Sequence, residues 1–541
     1  MAPKPFKLYT IEGLDYAVVI ARYKHLCEEG IKDFDDSYIS VTGPSEFKYI
    51  IKKSPRKPLK DDTRIENKAK YLVHSIAYRQ LTNQEDSADG VSISMSILQH
   101  VIGEDAFELI KALIDTGYIT RSSIYQIGKF SRKYKAIGTI TPVPCTNATI
   151  RKYIEKTKQK IDDTVTKRLA SPEFKTEYGE SFAETYTKNL NKFKITDKKG
   201  LELFASSQIK ERPDTEAYYD FIRSTFEEKL KIYRIDENHR IYHVLTSLKR
   251  ELKQYLNIKF SIDCANSHPL LFNYFLFLSK GVKVSTAYRI SEVLNQQSTL
   301  ILLSKDFSHP YSNAFFINNL AQLQPNDAGS DAIGPKNHYD TGNLRNILEN
   351  NGVRKSDIDK FEPDELLYLW KTSCGIFWDD VLKAHEGEGL SRPEIKQKMF
   401  AEVFYSKTKE DVWKRFCLEF KAQFPHVYDL ILNWKEPLKN PEMKAILLRR
   451  SKAVQLGNRT WMKNEATALP NIMMDLESTI FRDILKALYQ KRICAVHIHD
   501  AIVIPDAAST KSLDASTIVQ VMKEVYTRYG LCPTFKVDSF K

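Results

Sequence analysis

The 541-residue chain has no long uncharged apolar run. No stretch reaches the ~18–20 residues needed to span a bilayer. Met1-Ala-Pro-Lys-Pro-Phe at the N-terminus has no apolar h-region, so no secretory leader is expected. Cysteine is sparse and odd in number (Cys27, Cys145, Cys264, Cys374, Cys417, Cys494 and Cys532), and no C-x-x-C pair occurs. That argues against a disulfide scaffold and against a zinc site, and it fits a reducing, cytoplasmic setting. No internal repeat is present.

What the chain does have is positive charge. Lys and Arg number 81 against 69 Asp and Glu, for a net charge of +12 and a pI of about 9.0. Such a balance favours an anionic partner, and nucleic acid is the commonest one. Hydrophobic content of 42% and a mean hydropathy of −0.41 describe an ordinary globular protein rather than a disordered one. The length allows roughly two to four domains at ~150 residues each.

Residues 51–60 (IKKSPRKPLK) are basic and proline-punctuated and read as a loop. From Arg64 to Tyr118 apolar residues recur at spacings of three and four, including Ile97, Leu98, Val101, Leu109, Ile110 and Leu113, which predicts a helical block closed by Gly117. Residues 150–200 are rich in lysine, including Lys152, Lys156, Lys158, Lys160, Lys188, Lys192, Lys194, Lys198 and Lys199. These form either a solvated helix face or a surface that tracks phosphates. Residues 324–342 (QPNDAGSDAIGPKNHYDTG) read as a loop or insertion.

Three segments carry chemistry. In Ile258-Lys-Phe-Ser-Ile-Asp263, alternating apolar residues predict a strand that ends at Asp263, with a helix from Leu270 to Leu278 behind it. A strand-terminal Asp serves as a helix cap or as a metal ligand. In Ile493-Cys-Ala-Val-His497-Ile-His499-Asp500-Ala-Ile-Val-Ile504, apolar residues flank His499-Asp500 closely, which predicts strand, tight turn, strand. An Asp at that tip is a surface turn residue or holds a cation. Between them, Ser391 is a plausible N-cap and Pro393 a first-turn residue. Arg392, Lys396, Phe400 and Phe404 follow at i, i+4 spacing. Two cations followed by two aromatics on one stripe suit a polyphosphate and then a base, or form a plain amphipathic helix.

In this order the segments resemble the polymerase region of the DNA polymerase I family (family A) and its relatives, the phage-type single-subunit RNA polymerases. Asp263 resembles the motif A aspartate, Arg392-x3-Lys396-x3-Phe400-x3-Phe404-Tyr405 resembles the motif B fingers helix, and His499-Asp500 resembles the motif C turn. Flanking echoes are His239-Arg240 through Arg250, Thr372 to Phe377, the helix opening at Asp475-Leu-Glu477-Ser478, and Pro533-Thr-Phe-Lys-Val537-Asp538. The likeness spans residues 235–541 and leaves 1–234 unmatched. It departs from the family at Phe404-Tyr405, where the pattern has Tyr-Gly. It departs again at Ala501, where DNA polymerases have Glu, and at His268, at the place of the sugar-discriminating glutamate.

The resemblance implies an α+β right-hand fold: an antiparallel palm sheet, helical fingers and thumb, and a helical N-terminal region. The expected divisions are 1–234 for the N-terminal and thumb-like region, 235–320 for the first palm segment, 321–439 for insertion and fingers, and 440–541 for the second palm segment. It implies template-directed nucleotidyl transfer to a 3′-OH, with DNA synthesis expected and RNA or primer synthesis as the alternative. No proofreading carboxylates are recognisable. Asp263 and Asp500 would hold two Mg²⁺ ions ~3.5–4 Å apart, with Mn²⁺ able to substitute. Arg392 and Lys396 would neutralise the triphosphate, and Lys396 would protonate the leaving pyrophosphate. Phe400, with Phe404 or Tyr405, would stack against the incoming base or the template, and His268 would meet the sugar. His499, Arg240 and Arg250 would contact the nucleic acid. The implied partners are a primer–template of DNA or RNA, nucleoside triphosphates and an accessory protein, with no membrane. A rival expectation is a catalytically silent nucleic-acid-binding protein on the same scaffold.

Overall fold

The computed structural model describes the chain apart from residues 1–4, 39–46, 83–89, 123–132, 237–239, 304–340, 386–388, 406–413, 436–467, 508–509 and 541. His239 and residues 324–340 of the expected insertion therefore lie outside the described residues, and a helix (Thr341–Asn350) begins directly after them. The chain divides into two compact units, Met1–Ile258 and Lys259–Lys541. Both mix helices with small sheets, so the fold is α+β. No described helix is long and apolar enough to cross a membrane. All seven cysteines are free thiols.

The first unit opens with strand β1 (Phe6–Ile11), helix α1 (Tyr16–Glu29), strands β2 (Ile31–Tyr38) and β3 (Phe47–Lys53), and helix α2 (Asp62–Thr82). Asp15 caps α1 by accepting the Ala17 and Val18 amides, and Gly30 at φ 73° ends it, since the left-handed region suits glycine. The expected helical block is interrupted. After α2 come a short strand β4 (Val91–Ser92), a helix at Met95–Ile102, helix α3 (Ala106–Asp115) and strand β5 (Ile119–Arg121). Strands β6 (Lys133–Ala136) and β7 (Ile140–Cys145) follow; β6 lies between β4 and β5, and β7 pairs antiparallel with β1 from Phe6↔Cys145 to Ile11↔Ile140. Helix α4 (Ala148–Leu169), two short helices (Pro172–Tyr178 and Phe182–Leu190), helices α5 (Lys198–Glu211) and α6 (Glu216–Glu227) and strands β8 (Ile232–Ile235) and β9 (Ile241–His243) follow.

Its core gathers Val19, Tyr23, Leu72, Leu109 and Leu113 from α1, α2 and α3. Charge is also buried there. Asp105 accepts the Tyr23 hydroxyl at 2.6 Å, the Arg56 guanidinium at 2.7 Å and the Lys68 ammonium, while Arg56 also reaches Glu108 at 3.0 Å. Burial alone would raise the Asp105 carboxyl, but the hydrogen bonds from Lys68, Tyr23 and Arg56 outweigh it and hold the group below the usual carboxylate range.

The second unit is built on a four-stranded sheet in the order β11-β12-β10-β13: β10 (Ile258–Cys264), β11 (Val496–Ile498), β12 (Ala501–Pro505) and β13 (Phe535–Ser539). β10 and β13 are antiparallel from Phe260↔Ser539 to Cys264↔Phe535, and β11 and β12 from Val496↔Val503 to Ile498↔Ala501. Helix α7 (Ser267–Ser279) leaves β10 after a two-residue turn and is apolar nearly all round, as a core helix must be. It packs on α8 (Pro363–Ser373) and α12 (Ala468–Gln490), and α12 packs in turn on α13 (Ala515–Thr527). Between α8 and α12 lie α9 (Phe377–Ala384), α10 (Arg392–Met399) and α11 (Pro425–Lys435). The turn between α8 and α9 turns on Gly375 at φ 79°, where a Cβ would sit 3.2 Å from the Ala265 Cβ and 3.3 Å from the Thr534 Cβ. That close approach seats the α8–α9 turn against the end of β10.

Removing Asp105 would leave Lys68 buried without its partner. Asp105→Ala is expected to cost about 3–5 kcal/mol in urea unfolding at neutral pH. The deficit should shrink as the pH falls through the depressed Asp105 value, because a lowered carboxylate contributes only above it. A variant within 1 kcal/mol of wild type would show that this network contributes little.

Candidate active site

β10 and β12 are neighbours, and their ends abut. The Cys264 amide donates to the Asp500 carbonyl at 3.2 Å. Side chains alternate along β10, so buried Ile262 and Cys264 face one way and half-buried Asp263 the other. Asp500 is the second residue of the two-residue turn between β11 and β12. The first, His499, sits at φ 53°, a left-handed conformation that costs a non-glycine residue roughly 1–2 kcal/mol. Asn266, three residues after Asp263, is left-handed too, at φ 57°. Two of the three described non-glycine residues with positive φ thus border the carboxylates, and backbone strain of this kind collects at functional sites. Burial pushes the Asp500 carboxyl above its ordinary value, and the negative charge of Glu477 adds to the effect, while His268 and His499 oppose it.

α10 carries the cations. Ser391 and Glu394 form a reciprocal capping box, and Pro393 lies in the first turn, as the sequence pattern predicts. Arg392 pairs with Asp379 at 2.9 Å and is half exposed. The Lys396 ammonium lies 5.3 Å from the Trp378 ring centre. Burial, then Arg392, push Lys396 below the usual lysine value, whereas Asp500 and Asp263 both pull it up. The charges of Asp500 and Asp263 thus bear on Lys396. Phe400 follows, with its ring 5.2 Å from Trp378 and 5.4 Å from His268.

The expected i, i+4 stripe stops at Phe400. Residues Phe400–Phe404 form a π turn, closed by the Tyr405 amide donating to the Phe400 carbonyl at 2.7 Å. The extra residue per turn rotates Phe404 into the core, where it is fully buried 6.2 Å from Phe272 and 5.8 Å from Phe420. Phe404 offers no free face for stacking on a base, contrary to the sequence expectation. Tyr405 takes its place, stacked on Phe400 at 5.2 Å and 15°, with its hydroxyl hydrogen-bonded to His268 Nδ1. A π turn leaves carbonyls without their helical partners. Here buried Lys435, from α11, donates to the Val403 carbonyl at 2.5 Å, and the Cys417 thiol reaches the Glu402 carbonyl at 3.0 Å.

Two residues of this site escaped the sequence pattern. Glu477 on α12, read only as part of a helix opening, is buried and lies 3.2 Å from His268 Nε2, and it accepts the Ser267 hydroxyl at 3.1 Å. Trp378 supplies the wall against which both Lys396 and Phe400 rest. A buried acid and a buried tryptophan carry no spacing signal that separates them from core residues. In the second unit His268, Phe400 and Tyr405 are in mutual contact, and Lys396 shares the Trp378 ring with Phe400. Asp263 and the His499-Asp500 turn lie at abutting strand ends, and Arg392 pairs with Asp379. Arg240 and Arg250 belong to the first unit: the Arg240 amide donates to the Asp236 carboxylate at 2.9 Å and its carbonyl accepts the Asp236 amide at 3.1 Å, and Arg250 is exposed at the start of a 3₁₀ turn (Arg250–Tyr255).

No cluster of three or more His, Cys, Asp or Glu side chains able to hold a metal occurs among the described residues. Asp263 and Asp500 nevertheless suit Mg²⁺, a hard ion that needs only one or two carboxylates and takes its remaining ligands from phosphate and water. Asp500, disfavoured as an anion by burial and by Glu477, is a group that a bound cation would relieve. No protein-family profile matches the chain, and no curated protein matches it in sequence.

Phe404→Ala is expected to destabilise the fold by about 3–5 kcal/mol, whereas Tyr405→Phe should cost only about 1 kcal/mol; thermal unfolding of both separates core from site. Asp500 gives a second test. Its raised carboxyl makes ionisation a penalty that is absent below the unfolded-state value and complete once the pH has passed the raised one. Metal-free Asp500→Asn should therefore melt above wild type at about pH 7, with the gap closing toward about pH 4. A gap that ignores pH would contradict the assignment.

Proposed function

We propose that the chain is a template-directed nucleotidyltransferase that extends a 3′-OH from nucleoside triphosphates, with DNA synthesis as the first reading. The observation that supports it is the backbone hydrogen bond that sets Asp263 and Asp500 at abutting strand ends, with the charge of both acting on Lys396 of a capped helix. The order of these parts along the chain, strand-end Asp, basic–aromatic helix and His-Asp hairpin, is that of the family A polymerases and their RNA-polymerase relatives. In that reading the sheet of the second unit is the palm and α10 the fingers helix.

Each side chain then has a task. Asp263 and Asp500 would hold the Mg²⁺ ions, which supply charge stabilisation to the attacking and leaving oxygens when bound. Arg392 would leave its exposed pair with Asp379 for a triphosphate oxygen, an exchange that costs little because surface pairs are weak. Lys396, pushed below the usual lysine value, is suited to give a proton to the departing pyrophosphate. Tyr405, held by His268, and Phe400 would line the place of the incoming nucleotide. His499, exposed at the hairpin tip, would touch the primer-end phosphate. His268 in place of an acid and Ala501 after the catalytic Asp leave the choice of sugar to experiment.

Labelled-nucleotide incorporation on primed DNA and primed RNA, with Mg²⁺ and either dNTPs or NTPs, tests the reading. Wild type should incorporate one sugar class preferentially. Asp263→Asn, Asp500→Asn and Lys396→Ala should each lose on the order of 10²–10³-fold, the scale of removing one electrostatic contact from a transition state. Incorporation that survives loss of both carboxylates would end the proposal. So would the absence of incorporation under every condition, which would leave the silent nucleic-acid-binding scaffold.

A further inference from the structure

Outside the candidate site, the first unit brings two basic segments edge to edge. Residues 192–197 run beside residues 253–257. Asn257 clamps them, accepting the Lys194 amide at 2.6 Å and donating to the Lys192 carbonyl at 2.9 Å. The Thr196 amide meets the Tyr255 carbonyl at 2.9 Å, and Ile195 and Leu256 form an antiparallel bridge. α5 begins directly after this clamp. Lys194, Lys198 and Lys199 are exposed, and none of them forms an ion pair with a described residue. Lys192 and Lys253 lie on the same two segments, and Arg250 opens the 3₁₀ turn that leads into the second.

The acids nearby are largely engaged. Asp197 caps α5 by accepting the Gly200 amide at 2.8 Å, Glu202 pairs with Arg223 at 2.8 Å, and Glu251 is exposed next to Arg250. Lys198 and Lys199 occupy the first turn of α5, where the helix dipole disfavours cations. That placement makes sense for an anionic ligand and poor sense for helix stability.

Aromatic rings adjoin the cations. Phe204 and Tyr255, both half-buried, lie 5.8 Å apart, and Leu203 beside them is 66% exposed. Gly200 permits this closeness, since a Cβ there would lie 3.0 Å from the Tyr255 ring and clash with the Asp197 carboxylate. A rim of cations around an aromatic and apolar floor is the chemistry that holds a single strand, because phosphates follow the rim while unstacked bases cover the floor. A duplex keeps its bases stacked and has no use for the floor.

We propose that the Lys194–Lys199 segment, the first turn of α5 and the Leu203–Phe204–Tyr255 floor form a binding surface for single-stranded nucleic acid. The surface is built from residues of the first unit alone. It is tested without nucleotide in Asp500→Asn protein, so its failure and failure of the polymerase reading are read in separate experiments.

The test is fluorescence anisotropy of the full chain with a labelled single-stranded DNA oligonucleotide and with its duplex, across a salt series. The triple variant Lys194→Ala, Lys198→Ala, Lys199→Ala should bind the single strand at least tenfold more weakly. Its log affinity against log salt should be shallower by about 2, at ~0.7 per cation removed. Leu203→Ser should weaken binding without changing that slope. A control triple on α4 (Lys152→Ala, Lys156→Ala, Lys158→Ala) should bind as wild type does, and the first triple should leave duplex affinity unchanged. Wild-type single-strand affinity in the first triple, an equal loss in the control, an equal loss for the duplex, or no single-strand binding at all would each overturn the proposal.

Discussion

Two carboxylates at the ends of neighbouring strands are the constraint around which the second unit is arranged. The Cys264 amide is hydrogen-bonded to the Asp500 carbonyl, so β10 and the β11–β12 hairpin cannot separate without breaking the sheet. With the backbones locked, the residues that carry Asp263 and Asp500 are held at abutting strand ends. The surroundings sharpen the conflict. Asp500 is pushed toward its neutral form by burial and by Glu477, and the turn that carries it strains His499. Left-handed residues on both sides and a disfavoured anion would be relieved by relaxation or by neutral side chains. Under the proposed reading, a divalent cation carrying a polyphosphate would offset that charge.

The helix facing these carboxylates is adapted at one point. Its first two turns are regular and capped, which fixes Arg392 and Lys396 on one stripe. The π turn that follows moves the register by one residue, burying Phe404 and bringing Tyr405 over Phe400 and onto His268. Lys435 and Cys417 satisfy the carbonyls that the turn exposes. His268 is held from the other side by Glu477. One chain of contacts therefore runs from the basic helix through Tyr405, His268 and Glu477 to α12, so a shift of α10 would be felt at the carboxylates' own helical support.

Much of this was legible in the residues. The alternation in Ile258–Ile262 marks β10, the apolar runs around His499-Asp500 mark the hairpin, and Ser391 with Glu394 marks the helix start, because each rests on contacts within a few residues. The π turn was not legible, since the side chains that sustain it lie 15 and 32 residues away. Phe404 fits the helical stripe in sequence and leaves it in space for that reason. Glu477 escaped notice because its partners, Ser267 and His268, are about 210 residues distant in the chain. In the first unit, spacing of apolar residues marked α2 and α3 but could not show the short strand β4 between them, whose partner β6 comes some 40 residues later.

The most direct measurement of the central claim is Mn²⁺ binding followed by electron paramagnetic resonance, with a non-hydrolysable nucleoside triphosphate present. The paired-carboxylate account predicts bound, spin-coupled Mn²⁺ in wild type, lost in Asp263→Asn and in Asp500→Asn while both variants remain folded. Mn²⁺ binding that is absent from wild type, or unchanged when either carboxylate is removed, would contradict it.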